Sequence, residues 1–130
     1  MGTGIDVVHV QRLKEKLIRT PSLGQRLFAP SEHDYALSRA DPYMTLAKRF
    51  AAKEAFAKAT GCGIGKTLAW TDIVVDHHAT GQPYIRLSPD AYDAVMAHLN
   101  TAFAIHCSLS DDAMDTHAIA VACVIVQCVA

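Results

Sequence analysis

Glu54 is the first residue whose surroundings point to chemistry. It lies within Arg-Phe-Ala-Ala-Lys-Glu-Ala-Phe-Ala-Lys, residues 49–58, a segment with the composition of a helix. At about 100° per residue, Phe50 and Ala51 lie close to Glu54 around that helix, and Lys58 follows it by one turn. A carboxylate against such neighbours is costly to desolvate unless a cation compensates its charge. A plainer interpretation stays open, in which Glu54 and Lys58 form an ion pair on a solvated helix face.

Asp6 is a second isolated carboxylate. It interrupts the apolar N-terminal stretch Gly4-Ile5-Asp6-Val7-Val8. The hard cation Mg2+ is often bound by one or two carboxylates, while water and ligand phosphates fill its other positions. Asp6 and Glu54, both in apolar surroundings, therefore predict a magnesium site.

The segments around these carboxylates have the order found in a known family. Gly2-Thr-Gly-Ile-Asp6 is followed by Arg12 and then by the helix of residues 49–59. This arrangement closely resembles the holo-acyl-carrier-protein synthases. Three further segments match in the same order, so that the resemblance spans nearly the whole chain: Gly61-Cys-Gly-Ile-Gly65, Gly81-Gln-Pro83 and His106-Cys-Ser-Leu-Ser110.

The resemblance implies a 4′-phosphopantetheinyl transferase. Such an enzyme moves the phosphopantetheine arm of coenzyme A, its co-substrate, to a serine of apo acyl carrier protein and releases adenosine 3′,5′-bisphosphate. Attack of a hydroxyl on a phosphoryl group depends mainly on positioning and charge neutralisation. Asp6 and Glu54 are then expected to hold the cofactor Mg2+ on the pyrophosphate, and Lys58 to reach the same phosphates. These three are the expected catalytic residues, and Glu54, acting through a metal-bound water, is the first candidate for the general base.

Further contacts follow from the same resemblance. It implies a homotrimer with active sites between neighbouring subunits, and Arg12 matches the family's docking arginine for an acidic carrier protein. Arg19 and Arg26 are expected to extend that positive patch. The residues expected to bind coenzyme A are Arg49, Lys53, Lys58, Gly65, Pro83 and His106. A second interpretation of Arg49 and Lys53, as ordinary solvated charges, stays open. The family often has a histidine near Asp111, and this chain lacks it.

Length and charge limit the alternatives. With 130 residues, 51% hydrophobic and 19% charged, the chain is expected to form a single domain over 1–130. Residues 1–60 carry ten Lys and Arg against six Asp and Glu, whereas residues 61–130 carry two against seven. The N-terminal half is therefore the expected face for phosphate or an acidic partner. Nucleic-acid binding is disfavoured, because the basic residues lack interleaved aromatic residues and the net charge is −1.

The remaining sequence signals favour a cytoplasmic protein without a membrane segment. No secretory leader is visible, and the apolar tail of residues 118–126 is shorter than the roughly 20 residues that span a bilayer. The four cysteines have no Cys-x-x-Cys spacing, so neither a zinc site nor a redox pair is expected. Gly65-Lys66-Thr67 lacks the first glycine of a Walker A loop and follows a helix, so ATP and NAD binding are disfavoured.

Most of the seven histidines give weak signals. His77-His78 lies beside a predicted turn and has no partner at metal-ligand spacing. His9 and His33, like His98 and His117, are interpreted as surface or satisfied core residues. His106 differs only because it lies in the segment that matches the family.

The spacing of apolar residues and turn formers predicts an α+β fold, mainly an antiparallel sheet packed against one long helix. Pro21 and Gly24 are expected to break the first helix, Ser31 and Asp34 to form a capping box for a short one, and Asp111-Asp112 to form a hairpin turn. Residues 117–129 have too many apolar positions for a strand that exposes one face to solvent. We therefore expect this strand either to form a trimer interface or to be buried within one subunit. Predicted strands cover 3–9, 72–76, 83–87, 102–110 and 116–127, and predicted helices cover 10–19, 44–60 and 88–100.

A second function class remains as an alternative, a non-catalytic oligomeric module that binds coenzyme A or a nucleotide. Such a module needs the basic face and the glycine loop but no paired carboxylates. Asp6 and Glu54 therefore discriminate between the two hypotheses.

Overall fold

The chain folds into two antiparallel sheets and five helices over residues 1–129, the part that this computed structural model describes. The α+β class expected from the sequence is thereby confirmed. The strands are β1 (Gly2–His9), β2 (Ile73–His77), β3 (Pro83–Leu87), β4 (Ala102–Asp112) and β5 (Ile119–Val129). The helices are α1 (Val10–Arg19), α2 (Pro21–Leu27), α3 (Pro30–Leu37), α4 (Pro42–Thr60) and α5 (Pro89–Leu99), with single 3-10 turns at Trp70–Asp72 and Asp115–His117.

The larger sheet has three antiparallel strands in the order β1-β5-β4. Asp6 of β1 lies opposite Ala122 of β5, and His106 of β4 lies opposite Ile125. The strands β2 and β3 form a separate antiparallel pair, with Ile73 opposite Leu87. Because the first and last strands of the chain are neighbours, the sheet joins the N-terminal motif to the C-terminal segment.

Helix α4 crosses the inner face of the larger sheet. Asp41 caps its start by accepting a hydrogen bond from the Met44 N–H at 3.1 Å, Pro42 occupies its first position, and Gly61 ends it in a left-handed conformation with φ of 72°. The small side chains on this helix let it lie close to the sheet, and Ala51 and Ala55 are fully buried. The same helix carries most of the residues that the sequence singled out: Arg49, Lys53, Glu54 and Lys58.

Two glycines of β1 permit the closest approach between the sheet and α4. A Cβ added at Gly4 would lie 1.9 Å from the Ala55 carbonyl oxygen, and one at Gly2 would lie 2.0 Å from that of Ala59. Only glycine fits such spacing. The glycines of the Gly-x-Gly-x-Asp motif are therefore what bring Asp6 beside the helix that carries Glu54.

Three local predictions from the sequence contained an error. The expected break at Pro21 is confirmed, because α1 ends at Arg19, but residues 21–27 then form the additional helix α2, in which Pro21 is acceptable at the first helical position. Glu32, rather than Ser31 and Asp34, closes the start of α3 by accepting the Ala29 N–H at 3.0 Å.

The third error concerns the Asp111-Asp112 turn. Both residues continue β4, and Asp111 pairs with Ala120. An ion pair of 2.8 Å between the Asp111 carboxylate and Lys48 holds it against α4. The chain reverses further on, where Asp115 adopts a positive φ of 49°.

The outer face of the larger sheet is apolar and open in a single chain. In β5, Ala122 and Val124 are buried against α4, whereas the alternate residue Ile125 faces outward. On the adjoining strand, Ile5 is 61% exposed and Val7 is 59% exposed. The alternative of a β5 strand buried within one subunit is therefore wrong.

Over residues 1–129, none of the helices has both the length and the apolar character needed to cross a bilayer. The apolar tail discussed above is instead the central strand β5.

We expect Gly4→Ala to destabilise the protein by about 1–3 kcal/mol, because its Cβ must push β1 away from the Ala55 carbonyl. Gly63→Ala is the matched control, since nothing lies within 4 Å of a Cβ built there. Urea denaturation of both variants measures the difference. Equal midpoints for Gly4→Ala and the parent chain would show that the approach of strand and helix is not tight.

Candidate active site

The two carboxylates line one groove, enclosed by β1, α1, α2, α4 and the Trp70 turn. Its volume is about 520 Å³. We call it the carboxylate groove, and it is lined by Asp6, Val7, Val8, His9, Arg12, Leu13, Lys16, Leu23, Arg26, Leu27, Phe50, Glu54, Lys58 and Trp70. The expectation that residues far apart in sequence share one site is thus met for Asp6, Glu54 and Lys58.

Lys58 pairs with Asp6 rather than with Glu54. Its Nζ donates to the Asp6 carboxylate at 3.0 Å and to the Ile5 carbonyl at 3.1 Å. Glu54 makes no hydrogen bond or ion pair with the residues described, 1–129. The interpretation of Glu54 as the ion-pair partner of Lys58 is therefore wrong.

Glu54 lies in an environment that disfavours its charge. Burial raises the pKa of Glu54, the negative charge of Asp6 raises it further, and Lys58 opposes the shift. Two carboxylates close enough to interact in this way are stabilised by a shared cation. The donor set of two carboxylates facing an open groove fits Mg2+, which keeps positions for water and phosphate. No group of three or more His, Cys, Asp or Glu side chains suited to a metal was found in residues 1–129.

A basic rim surrounds the carboxylates. Arg12, Lys16 and Arg26 line the same groove, whereas Arg19 is exposed in the last turn of α1 and is not among its lining residues. His9 orients the start of α1, because its Nδ1 accepts the Arg12 N–H at 3.3 Å. The sequence interpretation of His9 as an idle residue missed this cap.

An aromatic pair forms the apolar wall of the groove. Phe50 stacks on Trp70 with ring centroids 5.3 Å apart. Both rings line the carboxylate groove, and Trp70 also borders a neighbouring depression with Arg26, Gly65 and Lys66. Gly65, expected to contact coenzyme A, thus lies near this groove, in a turn with a φ of 96°.

Arg49 lies on a different surface. It borders a cavity of about 180 Å³ whose lining we call the arginine cluster: Tyr35, Arg39, Thr45, Lys48, Arg49, His77, Gly81, Pro83 and Leu109. Pro83, also expected to contact coenzyme A, lines the same cavity. Arg49 is only 1% exposed, so the interpretation of this residue as a solvated charge is wrong. Burial lowers its pKa, which Glu32 and Tyr35 oppose.

Lys53 is a structural residue, and its assignment to coenzyme A is wrong. Its side chain is fully buried and its Nζ donates to the Glu32 carboxylate at 2.6 Å. The same Nζ donates to the Leu27 carbonyl at 2.7 Å and the Trp70 carbonyl at 3.1 Å. All three ammonium donors are therefore used, and none is available for a phosphate. The alternative of a solvated Lys53 is excluded by the same burial.

His106 lies on the outer face of β4, away from the carboxylate groove. Its Nε2 forms a hydrogen bond of 3.0 Å with the Gln127 side chain. The residues assigned to one site from the sequence are thus divided between the carboxylate groove, the depression beside it that Gly65 borders, the arginine cluster and the outer sheet face, while Lys53 is in the interior.

Sequence reasoning missed three contributors to these sites. Glu32 carried a readable signal, since it stands at the third position of a helix that begins with Pro30. Trp70 and His77 carried none, because their contacts with Phe50 and Arg49 join segments that are distant in the chain.

The groove thus combines a carboxylate pair, placed between a glycine-bearing strand and a long helix, with a basic rim. The model of the 4′-phosphopantetheinyl transferase superfamily matches residues 2–122, and the chain belongs to that superfamily. It is similar to holo-[acyl-carrier-protein] synthase of Trichlorobacter lovleyi, with 40% identity over 86% of this chain and 88% of the relative.

Two solved structures have the same fold. Helicobacter pylori holo-[acyl-carrier-protein] synthase, in complex with coenzyme A, is 31% identical with a TM-score of 0.78, and the match covers 96% of this chain and 99% of that one. A Bacillus anthracis holo-(acyl-carrier-protein) synthase in complex with CoA (3′,5′-ADP) is 29% identical with a TM-score of 0.77, covering 98% and 96%.

We expect Lys53→Met to destabilise the protein by about 3–5 kcal/mol, because it leaves the Glu32 carboxylate buried without a cation. Adding Glu32→Gln should recover part of this loss. Lys58→Met is the control, since its pair with Asp6 is half exposed and should contribute less than about 1 kcal/mol. Thermal unfolding that ranks Lys58→Met as the more damaging change would contradict the structural role of Lys53.

Proposed function

We propose that this chain is a Mg2+-dependent holo-acyl-carrier-protein synthase. It transfers 4′-phosphopantetheine from coenzyme A to a serine of apo acyl carrier protein, as the names of its relatives indicate. The observation that carries the proposal is the convergence of Asp6 and Glu54 in one groove with a basic rim. A non-catalytic module would not need this costly pair of carboxylates, so that alternative is disfavoured.

The reaction is a displacement at phosphorus. A bond forms between the serine oxygen and the phosphorus that carries the phosphopantetheine arm. The bond from that phosphorus to the bridging oxygen breaks, and its electron pair leaves with adenosine 3′,5′-bisphosphate. Mg2+ bound to Asp6 and Glu54 would neutralise charge that develops on the pyrophosphate.

The chain's own side chains supply positioning and proton transfer. Lys58 lines the groove, and its Nζ is bound to the Asp6 carboxylate, so it offers a positive charge to the same phosphates. Glu54, acting through a metal-bound water, is the first candidate to accept the serine proton. The stacked Phe50 and Trp70 rings cover one wall of the groove, which limits the access of water to the reacting groups.

We further propose that the active unit is a homotrimer in which neighbours share each site. Arg49, Pro83 and His106 lie outside the carboxylate groove of their own chain. If they bind coenzyme A, they must do so in the groove of another subunit. The exposed apolar face around Ile5 and Val7 supports burial against a neighbouring copy.

The carrier protein is proposed to dock on the basic rim. Arg12 and Arg26 border the groove through which the serine must enter, and Arg19 extends the positive surface along α1. Acyl carrier proteins are acidic as a family, so opposite charges should steer the encounter. A cytoplasmic location is part of the proposal and is supported by four cysteines that are all free thiols.

The metal pair gives the most direct test. Glu54→Gln keeps the shape of the side chain but removes its charge, so turnover should fall by several orders of magnitude. Asp6→Asn should do the same, and the double variant should lose little more, because both residues act through one ion. Asp112→Asn, an exposed carboxylate at the end of β4, is the control.

The measurement is the mass increase of apo carrier protein incubated with coenzyme A and Mg2+. Without Mg2+, both site variants should unfold near the temperature of the parent chain. Normal transfer by Glu54→Gln at saturating Mg2+ would remove the assignment.

Shared sites can be tested by mixing variants. Glu54→Gln and Arg49→Gln should each be inactive alone, since each lacks one half of every site. After subunit exchange in equal amounts, about a quarter of the sites should regain both halves. Sedimentation should show trimers in each preparation. Two inactive variants that stay inactive as a mixed trimer would place both residues in the site of one subunit.

The docking face predicts a salt-dependent association. Arg12→Glu should raise the Michaelis constant for the carrier protein with little change in turnover, and added salt should weaken the parent chain in the same way. Arg86→Glu, on β3 and outside the groove lining, is the matched reversal of charge. Equal Michaelis constants for Arg12→Glu and the parent would locate the docking face elsewhere.

A further inference from the structure

Two aromatic side chains hold the buried guanidinium of Arg49. Its Cζ lies 4.3 Å from the centroid of the Tyr35 ring, and its Nη2 lies 3.2 Å from Nδ1 of His77. The His77 ring in turn stacks on Tyr35, with centroids 4.7 Å apart and planes inclined by 11°. The three side chains therefore form one compact unit at the wall of the arginine cluster.

The contact between Arg49 and His77 defines the protonation of the imidazole. A guanidinium donates hydrogen bonds and accepts none, so Nδ1 of His77 must carry a lone pair. The proton of the neutral ring is then on Nε2. An imidazolium has no free lone pair, and its charge would repel Arg49 at this distance.

The charges around His77 favour the neutral ring. Burial lowers the pKa of His77 below the ordinary imidazole value of about 6.5, and Arg49, Lys48 and Arg39 lower it further, while the adjacent Asp76 opposes them. These cations come from α4 and from the end of α3, and the uncharged Tyr35 covers the ring. The ring is accordingly an acceptor at neutral pH.

One donor of Arg49 remains without a partner. Its Nε is buried and has no hydrogen-bond partner among the described residues. Leaving a buried charged donor unpaired is costly, so the protein alone does not satisfy this guanidinium. Arg39 and Lys48 border the same cavity as Arg49, and three cations around one cavity make a phosphate the natural ligand.

We propose that His77 is a positioning residue, which fixes the Arg49 guanidinium so that Arg49 can bind a phosphate of coenzyme A. The inference rests on the proposed function, in which Arg49 binds that co-substrate. His77 itself touches no reacting atom. Its contribution is to remove the freedom of a long side chain before the ligand arrives.

Three variants separate this role from simple packing. His77→Leu fills space but removes the acceptor, so the dissociation constant for coenzyme A should rise about tenfold. His77→Asn returns an oxygen close to the position of Nδ1 and should bind within about threefold of the parent chain. His78→Leu is the control, because the neighbouring ring stacks on Tyr84 and does not contact Arg49.

The pH profile gives a second readout. In the parent chain, coenzyme A binding should weaken as pH falls through the depressed pKa of His77, which lies below the ordinary imidazole value of about 6.5, because the protonated ring releases Arg49. His77→Asn should show a flatter profile, since an amide does not titrate. Stability should follow the same sign: a depressed folded pKa means that the unfolded chain binds more protons, so the His77 contribution is lost on acidification.

Calorimetric titration with coenzyme A, alongside transfer activity and thermal unfolding, decides between the outcomes. A parent chain that transfers no phosphopantetheine refutes the proposed function, whatever the His77 variants do. An active parent with unchanged coenzyme A affinity in His77→Leu, even at a lower melting temperature, overturns the inference. If His77→Leu does not fold, identical pH profiles for the parent and His77→Asn overturn it instead.

Discussion

The buried ion pair between Lys53 and Glu32 is the interaction on which the rest of the structure depends. The ammonium group also binds the carbonyls of Leu27 and Trp70, and the second carboxylate oxygen of Glu32 accepts the Val75 N–H at 3.1 Å. One pair of charges thus joins α2, α3, α4, β2 and the Trp70 turn. Removal from water is costly for both charges, and only complete hydrogen bonding compensates that cost. The pair therefore requires all five segments to be in place together.

The same interaction determines which face of α4 is directed into the carboxylate groove. Lys53 points into the protein, so Glu54, about 100° further around the helix, reaches the groove. One turn later Lys58 emerges beside Asp6, with which it forms its ion pair. The absence of a side chain at Gly4 lets β1 approach closely enough for that contact. The buried charge of Lys53 and the groove-lining charge of Glu54 therefore occupy consecutive positions. Their surroundings differ because the helix rotates by about 100° between them.

A single chain keeps its proposed ligand contacts on separate surfaces. Glu54 lies in the carboxylate groove, whereas Arg49 and Pro83 line the arginine cluster and His106 lies on the outer sheet face. Helix α4 contributes to two of these surfaces because it is buried on most sides. An assembly that covers the apolar sheet face would bring the surfaces of different copies together, which gives the trimer hypothesis a physical basis.

The sequence by itself determined most of the elements and the carboxylate pair. A helix cap such as Gly61 depends only on nearby residues, and Asp6 and Glu54 are isolated charges among apolar neighbours in the sequence. Both features can therefore be recognised from the sequence alone. Only the tertiary structure decided that Lys53 is an internal cation and that Asp111 continues a strand. Lys53 depends on Glu32, more than 20 residues away, and Asp111 depends on its pairing with Ala120 in β5 and on its ion pair with Lys48 of α4. The spacing of apolar residues predicts which side chains share one face of a helix or strand. Which of those faces lies against an opposite charge is decided only when distant segments pack together.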